Sequence, residues 1–237
     1  MGQLHSEYKR GNLVYYDQYL HRWLDAIGID VTKYILNPAA LPTDDTTGDP
    51  TEFTLTPVEA GAGNSTAVLS DNTLLITTAG NENDGVNLQL KGEAFDLASN
   101  NLTYFGIKFQ ASEATQSDFL VGLCITDTTL LGGMTDGVYF ECLDGSTDIN
   151  FVLEKDSTET TSASAVGTFA DATDVVLEFV FDGTNVDAWV NGTLQTRLAT
   201  TNLPDDEQLT PSIAFLTGAA SAETLTVKEF RAIQINA

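Results

Sequence analysis

The chain is poor in positive charge. Ten lysines and arginines stand against 34 aspartates and glutamates, a formal net charge of −24 over 237 residues. Phosphate contacts need basic side chains, so this balance excludes nucleic acid as a partner. An anionic membrane surface is excluded on the same ground. No apolar run approaches the roughly 20 residues of a bilayer-spanning helix. There are two cysteines, Cys124 and Cys142. Each lies within an apolar, strand-like stretch and reads as a small buried hydrophobe rather than half of a disulfide, since no secretory signal marks an oxidising compartment. The two histidines, His5 and His21, both precede the β-rich part of the chain. A Ser-His-Asp, Cys-His or zinc site therefore cannot be assembled there from histidine. Six prolines and 19 glycines are ordinary punctuation and give no sign of disorder.

What charge there is falls unevenly. Residues 1–40 hold Lys9, Arg10, Arg22 and Lys33 against Glu7, Asp17, Asp25 and Asp30, so the rest of the chain carries the whole −24. The neutral head also holds Tyr8, Tyr15, Tyr16, Tyr19, Tyr34 and Trp23. Within it Leu13, Tyr16, Leu20, Trp23, Leu24 and Ile27 follow helical spacing, with Asn12 as N-cap and Gly28 just past the end. This predicts a helix over 13–27. Its apolar stripe either packs on the chain's own β domain or serves as a docking arm, and aromatic richness favours the arm. The expected interface is Leu13, Tyr15, Tyr16, Tyr19, Leu20, Trp23, Leu24 and Ile27. Asp30 to Leu36 reads as a further helical turn or a short strand. Met1-Gly2 with Ser6 fits an N-myristoylation pattern, but no polybasic second signal follows. The stretch 41–51, rich in Pro, Asp and Thr, reads as a linker between an arm at 1–40 and a domain at 52–237.

From Glu52 onward, short strands separated by turn residues recur every eight to twelve residues, the spacing of a sandwich. Val86, Leu88 and Leu90 alternate with polar neighbours, as do Phe105, Ile107 and Phe109, and Val138, Phe140 and Cys142. Phe119 to Ile125 is almost continuously apolar and therefore central. Ser157 to Ser164 reads as an exposed edge strand or loop. Val175 to Leu198, VVLEFVFDGTNVDAWVNGTLQTRL, reads as a three-strand meander whose second turn, Asn191-Gly192, is the pairing a type I′ hairpin needs. In the closing strand, Leu225 to Ile235, the alternation slips between Val227 and Phe230, which predicts a bulge at Lys228-Glu229. The expected fold is all-β: a two-sheet antiparallel jelly-roll sandwich of about twelve to fourteen strands, with a short N-terminal helical arm.

The segment FDGTNVDAWVNGTL resembles the meander of concanavalin A-like jelly rolls, the fold of laminin-G domains, lectins and glucanases. The resemblance spans roughly residues 51–237 and implies a fold, with no catalytic residues attached. Glycosidases of this fold carry paired carboxylates along one strand. The nearest pair here, Glu141 and Asp144, is spaced by three and falls on opposite faces, which points away from an enzyme. Acidic loops at Asp127, Asp136, Asp144 and Asp148, and at Asp205, Asp206 and Glu207, lack the ordered spacing of a calcium loop, so neither metal nor cofactor is expected. Trp189 faces away from Val186, Ala188 and Val190, and reads as a second sheet-face cluster, a sugar-stacking platform or a subunit contact.

The combination of a compact β domain and an aromatic arm resembles the decoration (cement) proteins of tailed-bacteriophage heads. That resemblance implies a non-enzymatic virion structural protein, made in the host cytoplasm and placed on the capsid surface. It would dock on the major capsid protein through the arm and form a homo-oligomer, with a trimer favoured. The alternative is a carbohydrate-binding module or lectin that contacts a cell-surface glycan.

Overall fold

The computed structural model describes every residue except 1, 2, 62 and 163; the Met1-Gly2 pattern thus lies outside the described residues. From the N-terminus the strands are β1 (His5–Lys9), β2 (Asn12–Tyr16), β3 (Trp23–Ile27), β4 (Val31–Ile35), β5 (Phe53–Val58), β6 (Thr66–Ser70) and β7 (Thr73–Thr77). There follow β8 (Gly85–Leu90), β9 (Phe95–Asp96), β10 (Leu102–Ala111), β11 (Ser117–Cys124), β12 (Gly137–Cys142), β13 (Asp148–Lys155) and β14 (Thr158–Thr161). The chain closes with β15 (Gly167–Thr168), β16 (Val175–Phe181), β17 (Asn185–Val190), β18 (Thr193–Ala199), β19 (Gln208–Thr217) and β20 (Thr224–Ile235).

Two antiparallel sheets form the sandwich. One runs β18-β17-β16-β10-β20-β7-β6, with β4 also paired to β20; the other runs β14-β13-β12-β11-β19-β8-β5, with β15 on β13 and β9 on β19. Their inner faces share one core in which Phe105, Phe109, Phe119, Phe140, Phe151, Phe179, Phe215 and Phe230 are fully buried. The jelly-roll reading holds. The meander β16-β17-β18 is present, Asn191 and Gly192 take the positive φ of a I′ turn, and Thr158–Thr161 is an edge strand. The slip in the last strand is also real: Lys108 pairs with Glu229 and Phe109 with Val227, which leaves Lys228 as the extra residue.

The N-terminal helix is a correction. Residues 12–27 form β2 and β3, and with β1 they make a three-stranded sheet. The same residues satisfy both periods: Val14 and Tyr16 alternate with Leu13 and Tyr15, while the wider helical spacing matches by coincidence. Two local facts decide the outcome. Arg10-Gly11, with φ of 51° and 82°, makes a two-residue I′ turn that commits the chain to a hairpin. Asn12 is not a cap; its buried side chain donates to the Arg10 carbonyl and accepts from the Asp30 N–H.

This small sheet lies on the outer face of the eight-stranded sheet, a third layer. Val14, Tyr16, Trp23 and Ala26 pack against Tyr104, Ile233 and Ile235. Trp23 stacks on Tyr104 with ring centroids 6.1 Å apart and meets Tyr16 edge-on. The segment at Asp30 to Leu36 is a strand, β4, and Tyr34 reaches the core beside Phe53 and Phe230. The stretch 41–51 closes on itself through a Thr43–Pro50 bridge, and Leu41 is buried in the main core.

Candidate functional site

The outer face of the nine-stranded sheet is not closed over. On β12 the alternation sends Val138, Phe140 and Cys142 inward and leaves Tyr139 and Glu141 outward. Tyr139 pairs with Val152 of β13 and with Gly122 of β11, and Glu154 of β13 pairs with Glu159 of β14, so these side chains share one surface. Gly122 is required here. A Cβ at that position would collide with the Val138 carbonyl oxygen and come within 2.6 Å of the Tyr139 Cβ.

One half of this face is roofed by the segment 125–136. Its Leu130 and Met134 pack on Leu120, Cys124, Tyr139 and Val152, while Asn87 and Gln89 donate to the Thr128 and Ile125 carbonyls beneath it. The other half is an open cleft of about 710 Å³, lined by Asp118, Leu120, Leu130 to Met134, Tyr139, Glu141, Leu143, Asp144, Glu154, Glu159 and Leu216, among others. Five carboxylates line it and no lysine or arginine does. The neighbouring Lys155 is engaged elsewhere, by Asp205 at 2.6 Å and Asp206 at 2.8 Å.

Crowding of like charges in a partly dry place sets the protonation of these groups. Burial, together with the Glu159 and Glu154 charges, pushes the Glu141 carboxyl up to about 7. Burial also raises Glu154, against the opposing pull of the Tyr139 hydroxyl, which donates to it at 2.9 Å. Asp118 is raised by burial even though it accepts the Asp144 N–H at 2.7 Å. The arrangement offers several acceptors, one carboxyl able to hold a proton near neutrality, and an apolar floor. No group of three or more His, Cys, Asp or Glu side chains among the described residues is arranged to hold a metal ion.

A second polar cluster fixes the three-stranded sheet to the sandwich. Glu178 of β16, 1% exposed in its side chain, accepts from Arg22 Nε at 2.7 Å and Nη2 at 3.3 Å and from the Tyr104 hydroxyl at 2.8 Å, with His21 Nε2 at 3.3 Å. Burial alone would raise this carboxyl; the His21 and Arg22 hydrogen bonds and the arginine charge outweigh it and lower it to about 2. Glu178 is covered by three donors, Arg22, Tyr104 and His21, which marks the cluster as a clamp between the two sheets.

The residues expected to form a docking face separate into two groups. Tyr16 and Trp23 are each 3% exposed, turned onto the chain's own sheet. Leu13, Tyr15 and Leu24 are half-buried, while Tyr19, Leu20 and Ile27 are exposed. Trp189 is not a free platform, because the His21 ring stacks on it at 4.7 Å. Cys124 and Cys142 are free thiols on opposite faces of the same sheet, which bars a disulfide between them. Glu141 was visible in the sequence; Tyr139, Glu154 and Glu159 were missed as its neighbours. The signal was the outward phase of β12 carried across the Asp144-Gly145 turn into β13.

No protein-family model and no curated protein matches the chain. Solved structures do. The potassium-bound carbohydrate recognition domain of Emp46p superposes at a TM-score of 0.56 with 13% identity, over 81% of this chain and 93% of that one. An endo-1,3-β-glucanase from Streptomyces sioyaensis gives 0.61 with 8% identity, over 90% and 99%. SCLam, a non-specific endo-β-1,3(4)-glucanase, gives 0.57 with 13% identity, over 90% and 94%. The chain therefore has the concanavalin A-like jelly-roll fold of lectin and glucanase domains, and at these identities the likeness is one of fold.

Proposed function

We propose that this chain is a carbohydrate-binding domain whose binding face is the acidic cleft on the outer side of the nine-stranded sheet. The observation that carries the reading is the cleft itself, an open concavity with an apolar floor and carboxylate walls. A sugar presents hydroxyl donors around an apolar ring face. Carboxylates accept from the former, and Leu143, exposed, and Leu131, half-buried, offer contact to the latter. With no cation in the lining, phosphate, sulfate or uronate groups would be repelled, so the ligand class is neutral or amino sugars. The neighbouring folds named for carbohydrate recognition and glucanase activity support the reading in outline.

The phage-decoration reading is less well supported, since the two largest side chains of the stripe that motivated a docking arm, Tyr16 and Trp23, are spent on the chain's own sheet. A hydrolytic reading has one observation in its favour, the Glu141 carboxyl raised to about 7, suited to donating a proton. However, Glu141 lies opposite Asn150, so Glu154 stands four residues further along β13, where it accepts from the Tyr139 hydroxyl at 2.9 Å. Binding is the better fit.

Isothermal titration against neutral and sulfated forms of the same oligosaccharide tests the proposal. Binding of the neutral form alone, weakened by Glu159→Gln, is the expected result. Equal binding of both forms, or of neither across a broad glycan panel, would overturn it.

A further inference from the structure

Of the eight large hydrophobic side chains exposed among the described residues, six lie between Leu4 and Ile29. They belong to the electrically neutral first forty residues of a chain whose remainder carries −24. The three-stranded sheet also ends in an open edge. Its order is β1-β2-β3, and among the described residues β1 has a partner on one side only. Its central residues Ser6, Glu7 and Tyr8 are exposed, Tyr8 at 76%.

The hairpin geometry states which backbone groups are free. A two-residue I′ turn closes on a hydrogen-bonded pair, here Lys9 with Asn12. Because bonded and non-bonded pairs alternate, Lys9, Glu7 and His5 turn their N–H and C=O groups towards β2. Ser6 and Tyr8 turn theirs outward, an unpaired ladder that another strand can complete.

We propose that β1 is a self-recognition edge: two copies of the chain pair antiparallel through it, with Tyr8 opposite Tyr8 of the second copy and Glu7 of each opposite Lys9 of the other. Three features select this occupant and register. The two Tyr8 residues exchange both outward hydrogen bonds. Glu7 and Lys9, already 2.8 Å apart within the strand, become an alternating square of four charges when the second copy is added. A shift that centres the pairing on Glu7 instead would set two carboxylates face to face, which is unfavourable. Elsewhere on the surface two copies repel through their acidic bodies, so the neutral edge is where approach costs least. An edge of this kind closes by two-fold symmetry, giving a dimer rather than the trimer expected from a helical arm. On the carbohydrate-binding reading the dimer presents two clefts and gains avidity for a repeating glycan, but the association itself does not depend on that reading.

Sedimentation velocity on the full chain, from about 5 to about 500 µM, tests it, because a small interface of this type associates weakly. A monomer–dimer equilibrium is expected. Lys9→Glu should weaken it by about tenfold or more, and the double variant Glu7→Lys with Lys9→Glu should recover to within about threefold of the parent. Tyr8→Pro removes an outward N–H that the hairpin does not use and should abolish the dimer while the melting temperature holds. A chain that stays monomeric throughout, a trimer, a dimer indifferent to Tyr8→Pro, or a double variant no better than Lys9→Glu would each overturn the proposal.

Discussion

Replacing Trp23 by alanine probes whether the N-terminal segment belongs to the folded body. The indole is 3% exposed, lies parallel to Tyr104 at 6.1 Å and meets Tyr16 edge-on at the same distance. Its removal leaves a cavity between two sheets, bounded by backbone that is held by its own ladders and cannot collapse fully. Large-to-small changes of this kind cost about 3–5 kcal/mol. For a domain of this size each kcal/mol shifts the melting temperature by about 2–4 °C, so a fall of roughly 6–20 °C is expected. Trp23→Phe keeps a ring on Tyr104 and should recover more than half of that loss. Differential scanning calorimetry with near-ultraviolet circular dichroism reads both effects. A change under about 2 °C for Trp23→Ala would mean that the segment is a loosely held arm and that its packing on the sandwich contributes little.

Three further outcomes follow from the titrating groups and the close contacts. Glu178 is lowered to about 2, below its ordinary value, so its stabilising contribution is present above about pH 4.5 and is lost as pH falls towards 2; Glu178→Gln should flatten that acid limb of the stability curve and lower the plateau at pH 7. Glu141 is raised to about 7, so ionising it costs stability as pH climbs from about 4.5 through 7. Glu141→Gln should therefore stabilise the protein at pH 8, by about 1–3 kcal/mol in denaturant titrations, with little effect at pH 4. Gly122→Ala drives a methyl into the Val138 carbonyl and Tyr139, and should cost about 1–3 kcal/mol and disturb the cleft floor.

Alternation made the sandwich legible. In β16 and β17 it is unbroken, Asn191-Gly192 names its own turn, and the misplaced phase around Lys228 announced its bulge. The first three strands were not legible in the same way. Leu13, Tyr16, Leu20, Trp23, Leu24 and Ile27 fit a helical stripe, and five-residue strands are too short for period alone to decide. The deciding contacts, Trp23 on Tyr104 and Arg22 on Glu178, join residues far apart in the chain. The cleft was half legible for the same reason. In sequence Glu141 has Asp144 for a neighbour, whereas burial raises its carboxyl together with the charges of Glu159 and Glu154, which reach the same surface only through strand pairing.

The claim that the acidic cleft binds carbohydrate is tested most directly by mapping amide chemical-shift changes in the isotope-labelled chain as a neutral oligosaccharide is added. The account predicts a contiguous patch over residues 118–122, 130–134, 139–144 and 154–159, with the eight-stranded sheet and its N-terminal layer unmoved. Shifts centred instead around Trp189 and His21, or none at saturating sugar, would contradict it.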